Sequence, residues 1–293
     1  VNYRDGFRFD TATVLDKGCR QQQEDAIASE FCSDSGIGFV VLADGMGGHT
    51  SGEIASEIVV SEVFHKIKAN SDFANLIENS VGDVLVNAAM FANASVSEYI
   101  HFRPETQGMG STLLSPVIVK GKLFWLSIGD SPLYLFRRGR LFLLNEIHNL
   151  KHQMARLVEK GLIHDDDTEM ENGNCLTSAI IGRDVAKVDV CDTPVQLMDQ
   201  DIIIAASDGL QFLNDDQISQ ILLQNQAKEA SAIGQELLTG IKDLDDPYQD
   251  NFAVCVIKLE LNSCEQDRAD WPGEDVTMCE NRWKQRESTR PVF

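Results

Sequence analysis

Four aspartates stand where short apolar runs end or begin. Val40-Val41-Leu42-Ala43 leads into Asp44-Gly45, Leu126-Ser127-Ile128 into Gly129-Asp130, and Ile202-Ile203-Ile204-Ala205-Ala206 into Ser207-Asp208-Gly209. Asp250 immediately precedes the run from Phe252 to Ile257. A single Asp at such a place is ordinarily a turn residue or a helix cap. Several gathered at one edge of a core repel one another and lose hydration, and cations make such crowding tolerable. The ligands are all oxygen, with no His or Cys among them, which suits Mg2+ or Mn2+ rather than Zn2+ or Cu2+. Gly45 carries no side chain, so its carbonyl could also reach an ion.

A further acidic pair lies upstream, in Arg20-Gln21-Gln22-Gln23-Glu24-Asp25. In an extended segment Arg20 and Glu24 share a face, and Asp25 points the other way unless a bulge intervenes. A guanidinium beside cation-binding carboxylates makes sense for a phosphate ligand, because Arg offers a planar fork to two oxygens. The simpler alternative is an Arg20–Glu24 salt bridge. Two other readings fail on spacing. Asp44-Gly45-Met46-Gly47-Gly48-His49-Thr50 sits between a strand and a helix, but it is not GxGxxG and would aim a carboxylate at a pyrophosphate. The acidic stretch 243–251 has Pro247 at its fifth position and no Gly at its sixth, unlike a calcium loop.

The elements that must position these residues are legible as apolar runs. Strands are expected at Gly38 to Ala43, Thr112 to Val119, Leu123 to Ile128, Leu133 to Phe136, Asp201 to Ala206 and Phe252 to Leu259. Arg138-Gly139 reads as a tight hairpin turn leading to Leu141–Leu144. Helical spacing covers Gly52 to Ala69 and Phe73 to Tyr99, the second with Gly82 as a candidate break. Shorter helices are expected at Lys151 to Lys160, Asp215 to Leu223 and Ala227 to Lys242. The order is not a βαβα alternation and favours antiparallel sheets with helices packed outside. The polar stretch 145–184 reads as a surface excursion. From about 262 the chain turns polar and reads as a tail, in which Trp271 and Trp283 could dock.

Composition narrows the function classes. The chain has 293 residues and a formal net charge of −21, with a sequence pI near 4.5. That balance argues against coating nucleic acid or an anionic membrane, and no apolar run is long enough to span a bilayer. Seven Cys at wide spacings, without a CxxC pair, read as small apolar fillers in a reducing, cytoplasmic setting. The N-terminal residues are polar and charged, unlike a signal peptide.

Taken together and in order, Arg20…Glu24-Asp25, Asp44-Gly45-Met46-Gly47-Gly48-His49, Gly110-Ser111-Thr112, Gly129-Asp130-Ser131, Leu176-Thr177-Ser178-Ala179-Ile180-Ile181-Gly182, Ser207-Asp208-Gly209 and Asp250-Asn251 form a specific set. In this set the chain resembles the metal-dependent serine/threonine phosphatases of the protein phosphatase 2C family, bacterial branch. The resemblance implies an α+β fold, a four-layer αββα sandwich of two antiparallel β-sheets flanked by helix pairs. It implies a catalytic domain over 1–261 and does not reach 262–293, whose polar composition reads as a flexible tail. It implies two Mn2+ or Mg2+ ions per chain. Asp44 would bridge them, Asp208 and Asp250 would complete one site, and the Gly45 carbonyl would serve the other. Glu24 and Asp25 would act through waters, Arg20 would hold the phosphate, and Asp130 with Asp208 would form a weaker third site. The implied chemistry is attack by a water that two divalent ions activate, with no phospho-enzyme and hence no Cys or Ser nucleophile. The implied partners are phosphoproteins made by a serine/threonine kinase, with no nucleic acid and no membrane, acted on by a monomer.

The chain departs from the family pattern in places. Animal relatives often carry His where Met46 stands, which leaves the leaving-group acid unassigned. His49 reads as a helix-start or core residue. Pro132 replaces an Arg, and Ile147-His148-Asn149 stands for Asp-His-Ser, with a structural hydrogen bond expected of His148. Residues 151–175 occupy a flap position. The competing reading is a catalytically silent binding module on the same fold; retention of Asp44, Asp208 and Asp250 weighs against it. A phosphatase of an anti-sigma-factor antagonist would share the chemistry and differ in partner.

Overall fold

The computed structural model describes residues 7–47, 51–69, 80–162, 175–191 and 193–261. The described residues up to Glu260 belong to one compact unit. The expected tail with Trp271 and Trp283, the dipeptide Gly48-His49 and much of the flap position lie outside the described residues.

Among the described residues, twelve strands and five α-helices are distributed over two sheets and two helical layers. The first sheet runs in the order β1 (Phe7–Asp16), β12 (Phe252–Leu261), β11 (Ile202–Ala206), β7 (Leu133–Arg137), β8 (Arg140–Leu143). The second runs β10 (Val195–Gln196), β6 (Lys122–Ile128), β5 (Leu113–Val119), β3 (Ile37–Met46), β2 (Asp25–Cys32), with β4 (Gly110–Ser111) on β3 and β9 (Asp189–Val190) on β6. The pairings from β12 to β8 and from β10 to β2 are antiparallel. The β7–β8 hairpin turns at Arg138-Gly139, both with positive φ (51° and 76°), as a type I′ turn demands.

Side-chain alternation builds three apolar cores. On β3, Phe39, Val41 and Ala43 face α1 (Ser51–Ala69) and α2 (Val81–Phe102), whose Val59, Val63, Leu85 and Ala92 complete that layer. Val40 and Leu42 point the other way, into a core between the sheets with Leu114, Trp125, Leu135, Ile203, Cys255 and Ile257. Ile202, Ile204, Phe252, Val254 and Val256 then face α4 (Asp215–Asn225) and α5 (Ala230–Lys242) through Ile218, Leu222, Ile233 and Leu237. The central strands are therefore buried on both faces, which is why they read as unbroken apolar runs. The four-layer sandwich expected from the family resemblance is the observed fold.

Some local expectations are corrected. α2 begins at Val81, so Gly82 sits in its first turn and breaks nothing, while residues 73–79 lie outside the described part. The stretch from 145 is not simply surface: Asn145, Ile147, His148, Asn149, Ser178 and Ile180 are buried on either side of α3 (Leu150–Glu159). Nor are the cysteines mainly fillers: of the five described, Cys191 and Cys255 are buried and Cys19, Cys32 and Cys175 exposed.

Candidate functional site

The ladder register brings the acidic residues to one end of the sandwich. Asp44, late in β3, pairs with Asp25 at the start of β2. The same end of β3 lies beside the start of β5 (Leu42 with Leu114), whose Leu113 pairs with Ile128, two residues before Asp130. In the other sheet Ala206 pairs with Val254, so Asp208 and Asp250 flank the same end of the β11–β12 pair. Asp25 and Asp130 are buried; Asp44, Asp208 and Asp250 keep partial access to solvent.

Asp25, Asp44 and Asp130 are braced from behind. Asp44 N–H donates to Thr112 Oγ1 (2.9 Å), and its carbonyl accepts from Thr112 N–H (2.8 Å) and Ser111 Oγ–H (3.0 Å). Thr112 Oγ1 in turn shares a 2.9 Å hydrogen bond with Ser131 Oγ. Ser207 Oγ–H donates to Asp25 Oδ2 at 2.7 Å and accepts from Ala253 N–H. Asn149 Nδ2–H donates to Asp130 Oδ2 at 3.3 Å, while its Oδ1 caps α3 through His152 N–H. His148 Nδ1 accepts from Gly129 N–H, the structural hydrogen bond expected of it, which puts the ring proton on Nε2. Asn251 orders the segment before Asp25: its Nδ2 donates to Lys17 and Gln22 carbonyls and its Oδ1 accepts from Glu24 N–H at 2.7 Å.

The glycines after the aspartates answer to close backbone approach. A Cβ on Gly45 would lie 2.1 Å from the Gly52 carbonyl oxygen, where α1 begins, and one on Gly209 would lie 2.0 Å from the Asn251 carbonyl oxygen. A Cβ on Gly52 would lie 2.7 Å from the Glu24 carboxyl group, so Glu24 rests against the first turn of α1, where the helix dipole favours an anion.

Arg20 does not bond Glu24 as the simpler reading had it. Its Nη2 lies 2.6 Å from Asp250 Oδ2, with the guanidinium more than half exposed. A cationic fork thus stands at the rim of an acidic recess.

Electrostatics show how crowded the recess is. Burial, and then the charges of Asp208, Asp25, Asp130 and Asp250, hold Asp44 well above the usual carboxylate range. Burial first, against relief from the Ser207 hydroxyl, pushes Asp25 up to about 7, and burial with Asp130 and Asp250 pushes Asp208 up to about 7. Asp130 and Glu24 are raised too, chiefly by desolvation, Glu24 being partly relieved by Arg20. As placed, no three His, Cys, Asp or Glu side chains among the described residues close into a ready-made cation cage. The carboxylates are gathered rather than converged, and burial with their mutual charge favours the protonated forms of Asp25, Asp44 and Asp208. Divalent cations fit this donor set: hard oxygens, several of them anionic, whose mutual repulsion a cation would relieve.

The sequence profile of the protein phosphatase 2C family matches residues 18–226. The chain belongs to that family. As a protein phosphatase 2C member it is 30% identical over 171 residues to the serine/threonine phosphatase stp of Listeria welshimeri, across 58% of this chain and 66% of the relative. The crystal structure of the Mycobacterium tuberculosis serine/threonine phosphatase PstP/Ppp superposes with a TM-score of 0.70 at 25% identity, over 86% of this chain and 99% of that one. The catalytic domain of PstP in complex with two manganese ions superposes with a TM-score of 0.69 at 25% identity, over 86% and 98%.

Of the residues named from sequence, Asp25, Asp44, Asp130 and Asp208 are brought together in one buried group on which the Asp250 charge also acts, and Arg20 and Glu24 join them at the rim. The bracing groups Ser207, Asn251, Thr112, Ser131 and Asn149 were not singled out. Ser207, Asn251, Thr112 and Ser131 lie inside the quoted motifs, so the motif boundaries were the only signal available.

Proposed function

We propose that this chain is a metal-dependent serine/threonine protein phosphatase that hydrolyses phosphoserine and phosphothreonine in proteins. The observation that carries the reading is the recess itself: five aspartates from two sheets, short of compensating charge, with one arginine fork at its edge. Asp44, Asp208, Asp250 and the Gly45 carbonyl would hold two cations of the Mn2+ or Mg2+ class, with Glu24 and Asp25 acting through waters and Asp130 with Asp208 at a weaker third position. When bound, such ions supply a nucleophilic water at neutral pH and offset charge on the phosphoryl oxygens.

The protein's own groups do the rest. Arg20 presents N–H donors to the equatorial oxygens of the phosphate, exchanging its bond to Asp250 for them. The Thr112–Ser131 hydroxyl pair fixes the Asp44 main chain, so the carboxylate keeps its aim as charge moves past it. Ser207 holds Asp25 in one rotamer, and Asn251 keeps Arg20 and Glu24 on one rigid loop. Exposed Cys19 and Cys32 are not needed as nucleophiles, because attack comes from water.

The test is phosphate release from p-nitrophenyl phosphate and a phosphothreonine peptide with and without Mn2+. Turnover should require the metal, and Asp44→Asn should lower it by more than about a hundredfold, as loss of a group that would hold the metal exceeds loss of a supporting one. Absence of release from both substrates with Mn2+ present would sink the reading.

A further inference from the structure

Tyr248 is the most exposed large apolar side chain among the described residues, at 83%. Such a ring in open water is unremarkable on a floppy loop, but this turn is clamped at every joint. Tyr248 N–H donates to Asp246 Oδ1 (2.8 Å), and the buried Gln249 donates from Nε2 to the Ile241 carbonyl at the end of α5 (2.6 Å). The Gln249 carbonyl accepts from Cys19 N–H at 3.0 Å. Gly18, at φ 60°, lies so close that a Cβ would fall 2.1 Å from the Asp250 carbonyl oxygen. The turn and the Arg20 segment are thus one rigid edge, and Tyr248 precedes by two residues the aspartate that holds Arg20.

The surroundings of the ring are acidic. Asp243 and Asp245 are exposed and Asp246 is partly so. The neighbouring cation Lys242 is engaged by Asp16 at 2.6 Å. An exposed aromatic ring on a turn rich in carboxylates offers a guanidinium or ammonium group both the ring quadrupole and nearby negative charge.

We propose that Tyr248, with Asp245 and Asp246, forms a ledge that reads an Arg or Lys flanking the phosphorylated residue of the substrate, so that this edge sets sequence preference. The ledge rests on the reading of Arg20 as the phosphate-binding group. It accounts for how an acidic protein gains purchase on a phosphorylated, and therefore acidic, segment: the substrate contributes the cation.

The experiment compares kcat and KM for two phosphothreonine peptides that differ only in Arg or Glu beside the phosphorylated residue, with Mn2+, for the wild type, Tyr248→Ala, Tyr248→Trp and Asp245→Asn. Asn tolerates the positive φ of 49° at 245, so that variant removes charge without strain. The wild type should favour the Arg peptide. Tyr248→Ala should lower that preference about three- to fivefold through KM at similar kcat, and Tyr248→Trp should keep it. Asp245→Asn should lower it as well. A wild type that treats the peptides alike, or a Tyr248→Ala variant with undiminished preference, overturns the ledge and leaves the phosphatase reading standing. Failure of the wild type on both peptides and on p-nitrophenyl phosphate removes the phosphatase reading, and the ledge with it.

Discussion

Asn251 illustrates how the recess is built from buried amides as much as from carboxylates. It is 6% exposed and uses both ends of its side chain, joining the Lys17 and Gln22 carbonyls to Glu24 N–H. Those bonds span more than 220 residues of sequence and, with the Arg20–Asp250 pair, tie the Arg20–Glu24 loop to the start of β12. Truncation removes three part-buried hydrogen bonds, each worth on the order of 1 kcal/mol. Asn251→Ala should therefore destabilise the metal-free protein by about 2 kcal/mol in urea unfolding. It should also weaken Mn2+ binding by about tenfold or more in titration calorimetry, because the loop that presents Glu24 and Asp25 loses its anchor. Unchanged affinity would show that the loop holds itself.

At the scale of elements, the site depends on two strand ends meeting without side chains between them. Gly209 follows Asp208 at the end of β11, and its Cα faces the Asn251 carbonyl so closely that a Cβ would sit 2.0 Å from the oxygen. The contact is with backbone, so no rotamer change can relieve it. Gly209→Ala should push β11 from β12 at the site and cost about 3 kcal/mol, the upper end for overpacking, read as a lowered urea midpoint at unchanged slope. The sequence showed that Gly follows Asp; it could not show what the glycine faces. The same limit runs through the fold. Strands buried on both faces, such as β3 and β11, are legible because their central runs, 38–43 and 202–206, hold no charged or polar side chain. β1 and β2, at the sheet edges, mix apolar and charged residues and carry no such signal. The polar stretch from 145 was read as surface because nothing local reveals that Asn145 reaches Leu133 N–H and the Ser131 carbonyl, or that Asn149 reaches Asp130. The acidic constellation was legible through strand ends and spacing, whereas its braces depend on contacts between distant segments.

For the molecule as a whole, the recess ties folding to protons and cations. Asp25 and Asp208 titrate at about 7 in the folded chain against an ordinary value of 3.8. The folded state therefore holds their protons more tightly than the unfolded one. That contribution is fully present below about pH 4 and is lost as pH rises towards 7, with a slope of up to about 1.4 kcal/mol per pH unit for each group. Metal-free protein should lose stability across that window on account of these two carboxyls, with Asp44 adding in the same direction. Cations compete with the same protons, so Mn2+ should stabilise little at pH 5 and strongly at pH 7.5. The measurement is the difference in Tm with and without Mn2+ at matched ionic strength across pH 5–7.5. A difference that widens with pH ties cation binding to these carboxyls. A constant difference would place the bound metal elsewhere on a chain whose net charge of −21 offers many weaker sites. Matching the salt matters for that distinction, because binding to the diffuse surface charge is screened and binding within the recess much less so.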